Sequence, residues 1–145
     1  MDFFNSIQTS SSGLSAQRLR MNLISGNLAN INTTRTRLGG PYRRKEAIFA
    51  AQSMNSTFNK ILTDRQKSQF SGVHVDRIYE DLTPPIMKHQ PSHPHANDQG
   101  YVAMPNINPM EEMVNMISAT RGFEANVTAL KAAKAMALKA LEIGR

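Results

Sequence analysis

The sequence predicts a mainly α-helical chain. Long N- and C-terminal helices pair as an α-helical coiled coil around a small, irregular middle segment with a β-hairpin. Three observations carry this reading: an uninterrupted helical run at the C-terminus, a seven-residue apolar spacing at the N-terminus, and turn-rich sequence between them. They divide the 145 residues into 1–33 (first helix), 34–107 (loops and short strands) and 108–145 (second helix).

The C-terminal run is the clearest element. Asn108 is a good N-cap, Pro109 suits the first helical position, and Glu111 stands where a capping box places its acid. From Pro109 to Ile143 there is no further proline and one glycine, Gly122, while eight alanines from Ala119 to Ala140 raise helix propensity. Gly144 is a plausible stop. A stripe advances in steps of three and four through Met113, Met116, Thr120, Phe123, Val127, Leu130, Lys134, Ala137 and Leu141. It is narrow, the seam of a coiled coil rather than the broad face of a buried helix. Ile117 is a further packing candidate. Glu111 and Glu112 early and Lys131, Lys134 and Lys139 late complement the helix dipole.

At the other end Ile7, Leu14, Met21 and Leu28 are seven apart, and Ile24 and Ile31 extend the seam. Ser10 and Gln17 fill its remaining positions, and Ser10-Ser11-Ser12-Gly13 forms helix poorly, so fraying or a kink is expected before Leu14. Asn27, Asn30 and Thr33 are expected to end this helix through bonds to the backbone. Spacing alone leaves two readings open: an αα hairpin within a monomer, or helix ends that also pack against copies of the chain.

In the middle, Glu46–Ala50 suits a short strand. Residues 52–71 are polar and without period, an exposed insertion. Val73, Val75 and Tyr79 alternate with polar residues, and Ile86-Met87-Lys88 is the expected return strand of a hairpin with them. Gly100–Met104 is another short strand, halted by Pro105.

Composition excludes several classes. With 40% hydrophobic and 6% aromatic residues, no tryptophan and a mean hydropathy of -0.41, one thin-cored domain is supported. There is no cysteine for a disulfide or thiolate site, and no apolar window of membrane-spanning length. The N-terminus lacks the pattern of a cleaved signal peptide. A net charge of +6, with Arg35, Arg37, Arg43, Arg44 and Lys45 around Gly39-Gly40-Pro41, raises nucleic acid or an anionic membrane surface as partners. Against this, only Tyr42 interleaves the basic residues and no reading-head motif is present. His89, His93 and His95, with Asp98 nearby, approach a metal-ligand spacing, but the proline-broken run does not fix their geometry. No phosphate loop, nucleophile elbow or zinc-protease motif occurs, so no enzyme and no cofactor is expected.

These residues also carry a family resemblance. Ser12-Gly13-Leu14-Ser15-Ala16, then Asn27-Leu28-Ala29-Asn30-Ile31-Asn32-Thr33, resembles the N-terminal signature of the flagellar rod, hook and hook-associated proteins. Within that family, Gly39-Gly40-Pro41-Tyr42-Arg43-Arg44-Lys45, Asp81–Pro85 with His93-Pro94, Gly100–Asn106, Glu111–Val114, Ser118–Arg121, Glu124–Val127 and Lys139–Leu141 are similar to a proximal rod member. Gly122-Phe123 stands where the family usually has Ala-Tyr, and His95 where an acid is common.

The resemblance implies a structural subunit of the basal-body rod, a helical drive shaft that transmits torque across the periplasm for motility. It implies export through the flagellar type III apparatus without a cleaved signal. The implied partners are copies of the chain, other rod proteins and basal-body ring or adaptor proteins, and no nucleic acid. Asn126 and Lys45 are candidate polar interface residues. Another axial subunit of the rod or hook kind, or a basic helical-hairpin adaptor, are the alternatives.

Overall fold

The computed structural model describes residues 3–53 and 71–143. Along the chain run α1 (Phe3–Ala29), β1 (Lys45–Ser53), β2 (Ser71–Glu80), β3 (Ile86–His89), β4 (Tyr101–Met104) and α2 (Pro109–Ile143). The polar insertion beyond Ser53 and the expected stop at Gly144 lie outside the described residues.

The two helices dominate. At about 1.5 Å per residue, α2 with its 35 residues is roughly 50 Å long. Its start is capped as the residue types require: Asn108 Oδ1 accepts from the Met110 N–H at 3.1 Å, and the Asn108 carbonyl accepts the Glu112 N–H at 3.1 Å. Glu111 stays exposed, whereas its neighbour Glu112 turns inward. α1 runs unbroken through Ser10–Gly13, contrary to the expected kink. Ser12 and Ser15 return their hydroxyls to the Thr9 and Ser11 carbonyls, and Ser12 Oγ also accepts the Val73 N–H of β2 at 3.0 Å. The serine run is therefore a docking face for the β ribbon, and that contact offsets its poor intrinsic propensity.

The helices pack antiparallel. Gly13 lies against Asn126, Gln17 against Gly122, Met21 Sδ receives the Thr120 hydroxyl at 3.7 Å, and Asn27 bonds Glu112. Two glycine notches thus face each other one turn apart, each filled by an amide side chain of the opposite helix. In this register the last turns of α2 run past the first described residue of α1. The seam on α2 also differs from the apolar stripe. Glu112, Ala119 and Ala133 are buried and Asn126 is half-buried, whereas Met113 and Lys134 are exposed. At Met113 and Lys134 the contact shifts one residue earlier, to Glu112 and Ala133, whereas Thr120 and Val127 stay half-buried beside Ala119 and Asn126.

The middle segment covers another face of α1. β1 and β2 form an antiparallel ribbon from Lys45↔Glu80 to Ser53↔Ser71, with a bulge at Ile48/Phe49, and both strands contact α1. The expected pairing of β2 with Ile86–Lys88 is wrong. β3 pairs instead with β4, Ile86↔Met104 to His89↔Tyr101. Pro84 and Pro85 supply no N–H for continuing a ladder, whereas residues 90–100 close a compact turn. There Asn97 Oδ1 accepts from the N–H groups of Gln99 and Tyr101, and Gly100 takes φ +78° beside His89 and Pro91.

The core is thin. Among the described residues its buried apolar side chains are Ala16, Ile24, Ala47, Val102, Ile107, Ala119 and Ala133. Only Ile24, Val102 and Ile107 carry a large apolar payload, worth roughly 1.5–3 kcal/mol each for full burial.

Candidate functional site

Among the described residues two polar side chains are buried, and the first is Asn27, 1% exposed. It does not end α1 but sits inside it, a correction to its expected capping role. Lys45 N–H donates to Asn27 Oδ1 at 2.9 Å, and Asn27 Nδ2 donates to the Lys45 carbonyl at 2.9 Å. A backbone N–H can only donate and a carbonyl only accept, so these two bonds orient the amide without ambiguity. Nδ2 also donates to Glu112 Oε2 at 3.0 Å, and the Tyr42 hydroxyl donates to Oδ1 at 3.2 Å. All four hydrogen-bonding sites of the amide are filled.

Glu112, likewise 1% exposed, is the second half of the anchor. Its Oε1 accepts from Arg44 Nε at 2.7 Å, while Arg44 also reaches Glu46 at 3.2 Å. Burial works against the Arg44 charge. The hydrogen bond to Glu112 and the charges of Glu112, Glu46 and Glu111 outweigh it, so its pKa rises above the ordinary arginine value. Burial raises the pKa of the Tyr42 hydroxyl. Lys45 opposes this, and Glu80 and Glu112 reinforce it. Lys45 pairs with Glu80 at 3.1 Å, and the Asp81 N–H donates to the Arg44 carbonyl at 2.8 Å. The Asp81 carboxylate accepts the Thr83 N–H, which lowers its pKa.

The helix exit is built by neighbours. Asn30 Nδ2 donates to the Gly26 carbonyl at 2.9 Å, the Thr33 hydroxyl donates to Asn30 Oδ1, and the Tyr42 N–H donates to the Thr33 carbonyl. The 34–45 segment is thereby turned back toward α1. A shallow cavity of about 120 Å³ opens between Gly39–Arg44 and Asp81, Thr83, Pro85 and Asn106.

The structure thus brings Asn27, Tyr42, Arg44 and Lys45 together and leaves Ala29, Gly39, Gly40 and Arg43 exposed, with Pro41 half-buried. Ile24 is buried. Ile7, Leu14, Met21, Leu28, Phe123, Val127 and Leu130 are half-buried. Met113, Ile117 and Leu141 are 44%, 55% and 72% exposed. Asn126 donates to the Gly122 carbonyl of its own helix at 2.9 Å while filling the Gly13 notch. Glu112 was read only for its charge near the helix start. The missed signal is its heptad spacing: Ala119, Asn126 and Ala133 follow it 7, 14 and 21 residues on.

His95 Nδ1 and the Thr34 hydroxyl are 2.8 Å apart, and His93 Nδ1 accepts the His95 N–H. Among the described residues, no group of three or more His, Asp or Glu side chains is placed to hold a metal, and no helix is long and apolar enough to cross a membrane.

A helix pair joined by a buried polar anchor, with seven large apolar side chains of α2 exposed, is the architecture of a structural assembly subunit. Residues 7–35 match the family described as flagella basal body rod protein, and residues 98–143 match the flagellar basal body rod FlgEFG protein C-terminal family. The chain is 44% identical to the flagellar basal-body rod protein FlgC of Bacillus subtilis across the whole of both chains. It is also 44% identical to that of Borreliella burgdorferi, over 99% of this chain and 98% of the relative. The FlgC of Escherichia coli O6:H1 is 34% identical over both full lengths. The chain belongs to the FlgC family of flagellar basal-body rod proteins, which are structural subunits rather than enzymes.

Proposed function

We propose that this chain assembles with copies of itself and with other rod proteins into the part of the basal-body rod that crosses the periplasm and carries motor torque. The observation that carries this is the outward apolar surface of α2: Met113, Ile117, Met136, Leu138 and Leu141 are all at least 44% exposed on a helix that outruns α1. Apolar side chains so placed are stabilised when neighbours cover them. Residues 1–33 and 108–145 then form the coiled-coil layer, in which Ile7, Leu14, Met21, Phe123, Val127, Leu130 and Leu141 meet helices within and between copies. Residues 34–107 make the lateral contacts, to ring or adaptor proteins among others, with Arg43 and Asn126 as polar interface groups. Export proceeds through the flagellar type III apparatus.

The anchor refines how the termini order. Asn27, Glu112 and Arg44 hold the C-terminal part of α1, the start of β1 and the start of α2 together in the isolated chain. The far end of α1 is held by small or half-buried side chains such as Ile7 and Ala133, the last turns of α2 outrun α1, and both gain order from neighbours, which offsets the entropy cost. Amide exchange on the monomer is expected to be slow around Ile24–Leu28 and fast around Ile7. Strong protection at Ile7 would contradict it.

The assignment itself is tested on basal bodies purified from the native organism and from a strain lacking this gene. The expected result is native particles that contain the chain and mutant particles with rings but no rod. Complete rods and normal swimming in the mutant would overturn it.

A further inference from the structure

The loop between α1 and β1 has a feature that the anchor does not use. Leu38 stands at its tip and is 99% exposed. The loop is well ordered: the Thr36 N–H donates to the Gly40 carbonyl at 2.9 Å, the Gly39 N–H to the Thr36 carbonyl at 3.1 Å, and the Thr36 hydroxyl to the Gly39 carbonyl at 3.2 Å. Gly39 and Gly40 take φ +86° and +73°, a conformation that residues with a Cβ avoid. The result is a preordered turn that holds one large apolar side chain in water. Such a loop loses little freedom on docking. Arg35, Arg37 and Arg43 flank it in the sequence, all exposed, and among the described residues none of them forms an ion pair.

The outer face of α2 offers the complement. Met110, Val114 and Ile117, spaced four and three apart, are 65%, 64% and 55% exposed. Glu111 is exposed at the head of this stripe, and Glu124 is exposed beyond Arg121, which bounds the apolar part. Neither acid forms an ion pair among the described residues.

We propose that Leu38 of one copy seats on the Met110–Val114–Ile117 stripe of the next, with the loop arginines reaching that copy's Glu111 and Glu124. This rests on the reading that the chain assembles in multiple copies. Knob and stripe are different surfaces, so the contact is heterologous. Each copy keeps one of each free, and the contact propagates rather than closing as a symmetric pair. Guanidinium–carboxylate bonds around an apolar centre supply direction as well as attraction.

The chain has no cysteine, so an introduced pair reports one contact. A Leu38→Cys, Val114→Cys double variant is expressed in place of the native chain, and basal bodies are isolated, oxidised and run on a non-reducing gel. A disulfide requires Cβ atoms only about 3.5–4.5 Å apart. The expected result is a ladder of dimer, trimer and higher bands that reductant collapses, with each single variant remaining monomeric. Assembled chain that stays monomeric, or that stops at dimer, overturns the proposal. A second variant, Leu38→Asp, is expected to fold as the native chain does but to be lost from basal bodies, and its normal incorporation would also overturn it. If the native chain were absent from basal bodies, the functional reading would fail with it. Native chain present without a ladder sinks the docking contact alone.

Discussion

Replacing Asn27 with aspartate changes one atom of the anchor and leaves its shape intact. The exchanged atom is Nδ2, which donates at 2.9 Å to the Lys45 carbonyl and at 3.0 Å to Glu112 Oε2. An oxygen there faces two acceptors. Losing the neutral bond costs about 1 kcal/mol, and losing the bond to a carboxylate about 1.5–3 kcal/mol. Two carboxylates at this separation add roughly 4–5 kcal/mol of repulsion at an effective dielectric near 20. The Arg44 guanidinium beside Glu112 relieves part of that repulsion, and proton uptake by the introduced acid relieves more. The net expected loss is about 3–5 kcal/mol near neutral pH. Asn27→Ala removes the same donors without adding a charge, but it also removes the Oδ1 acceptor of the Lys45 N–H and the Tyr42 hydroxyl, so it is expected to cost about 4–6 kcal/mol at any pH. Both variants should therefore be strongly destabilised, and only the aspartate loss should depend on pH. Urea unfolding followed by far-UV circular dichroism measures both. The aspartate deficit should shrink as pH falls, since the introduced acid titrates above its unfolded value and its neutral form can donate a bond. An aspartate variant within about 1 kcal/mol of the native chain, or one whose deficit does not shrink as pH falls, would refute the reasoning.

Three further outcomes follow from the same contacts. Asn108→Ala removes the acceptor of the Met110 N–H and should cost about 1 kcal/mol in a urea titration. The two glycine notches should respond differently, with Gly13→Ala less favourable than Gly122→Ala by about 1 kcal/mol in thermal unfolding. A Cβ at Gly13 meets Asn126 at 3.1 Å, where that amide is held by the Gly122 carbonyl, whereas a Cβ at Gly122 meets the Gln17 side chain at 3.3 Å. Gln17 Oε1 is buried without a partner, so this side chain gives way more readily. Tyr42 has a pKa raised above its ordinary 10.0, so its contribution is present below that value and is lost as pH rises through the higher folded one. Tyr42→Phe should flatten the alkaline fall in melting temperature and cost about 0.5–1.5 kcal/mol at neutral pH through the lost bond to Asn27.

Much of the architecture was readable in local chemistry. The α2 start follows from Asn108 and Pro109, and its continuity from alanine-rich sequence without internal proline. The ends of β4 follow from Gly100 and Pro105. The α2 seam was only half readable. Met116, Thr120, Phe123, Val127, Leu130 and Ala137 were placed on it and are half-buried, but Met113 and Lys134 are exposed where Glu112 and Ala133 are buried. Hydrophobic spacing identifies large apolar residues, and in this chain several of those turn outward while small and polar side chains take the close contact. Ser10–Gly13 misled in the opposite direction. Its weak propensity was visible, but the Val73 N–H that engages Ser12 comes from a strand 61 residues away.

Strand choice and the anchor show where local information stops. Alternating residues mark β2 and Ile86–Lys88 as extended but do not say which strand each one pairs with. That depends on the turn at 90–100 and on the face of α1 that β1 and β2 share. Asn27 looks like a helix terminator because asparagine readily bonds nearby backbone. Its partners lie 18 and 85 residues further along the chain, at Lys45 and Glu112. The chain's own sequence establishes the family, the two long helices and the absence of catalytic motifs, since propensity, capping and composition act over a few residues. Helix register, strand partners and the burial of a carboxylate against Asn27 and Arg44 are decided in three dimensions, where a polar group can be buried only once distant segments have supplied every bond it gives up in leaving water.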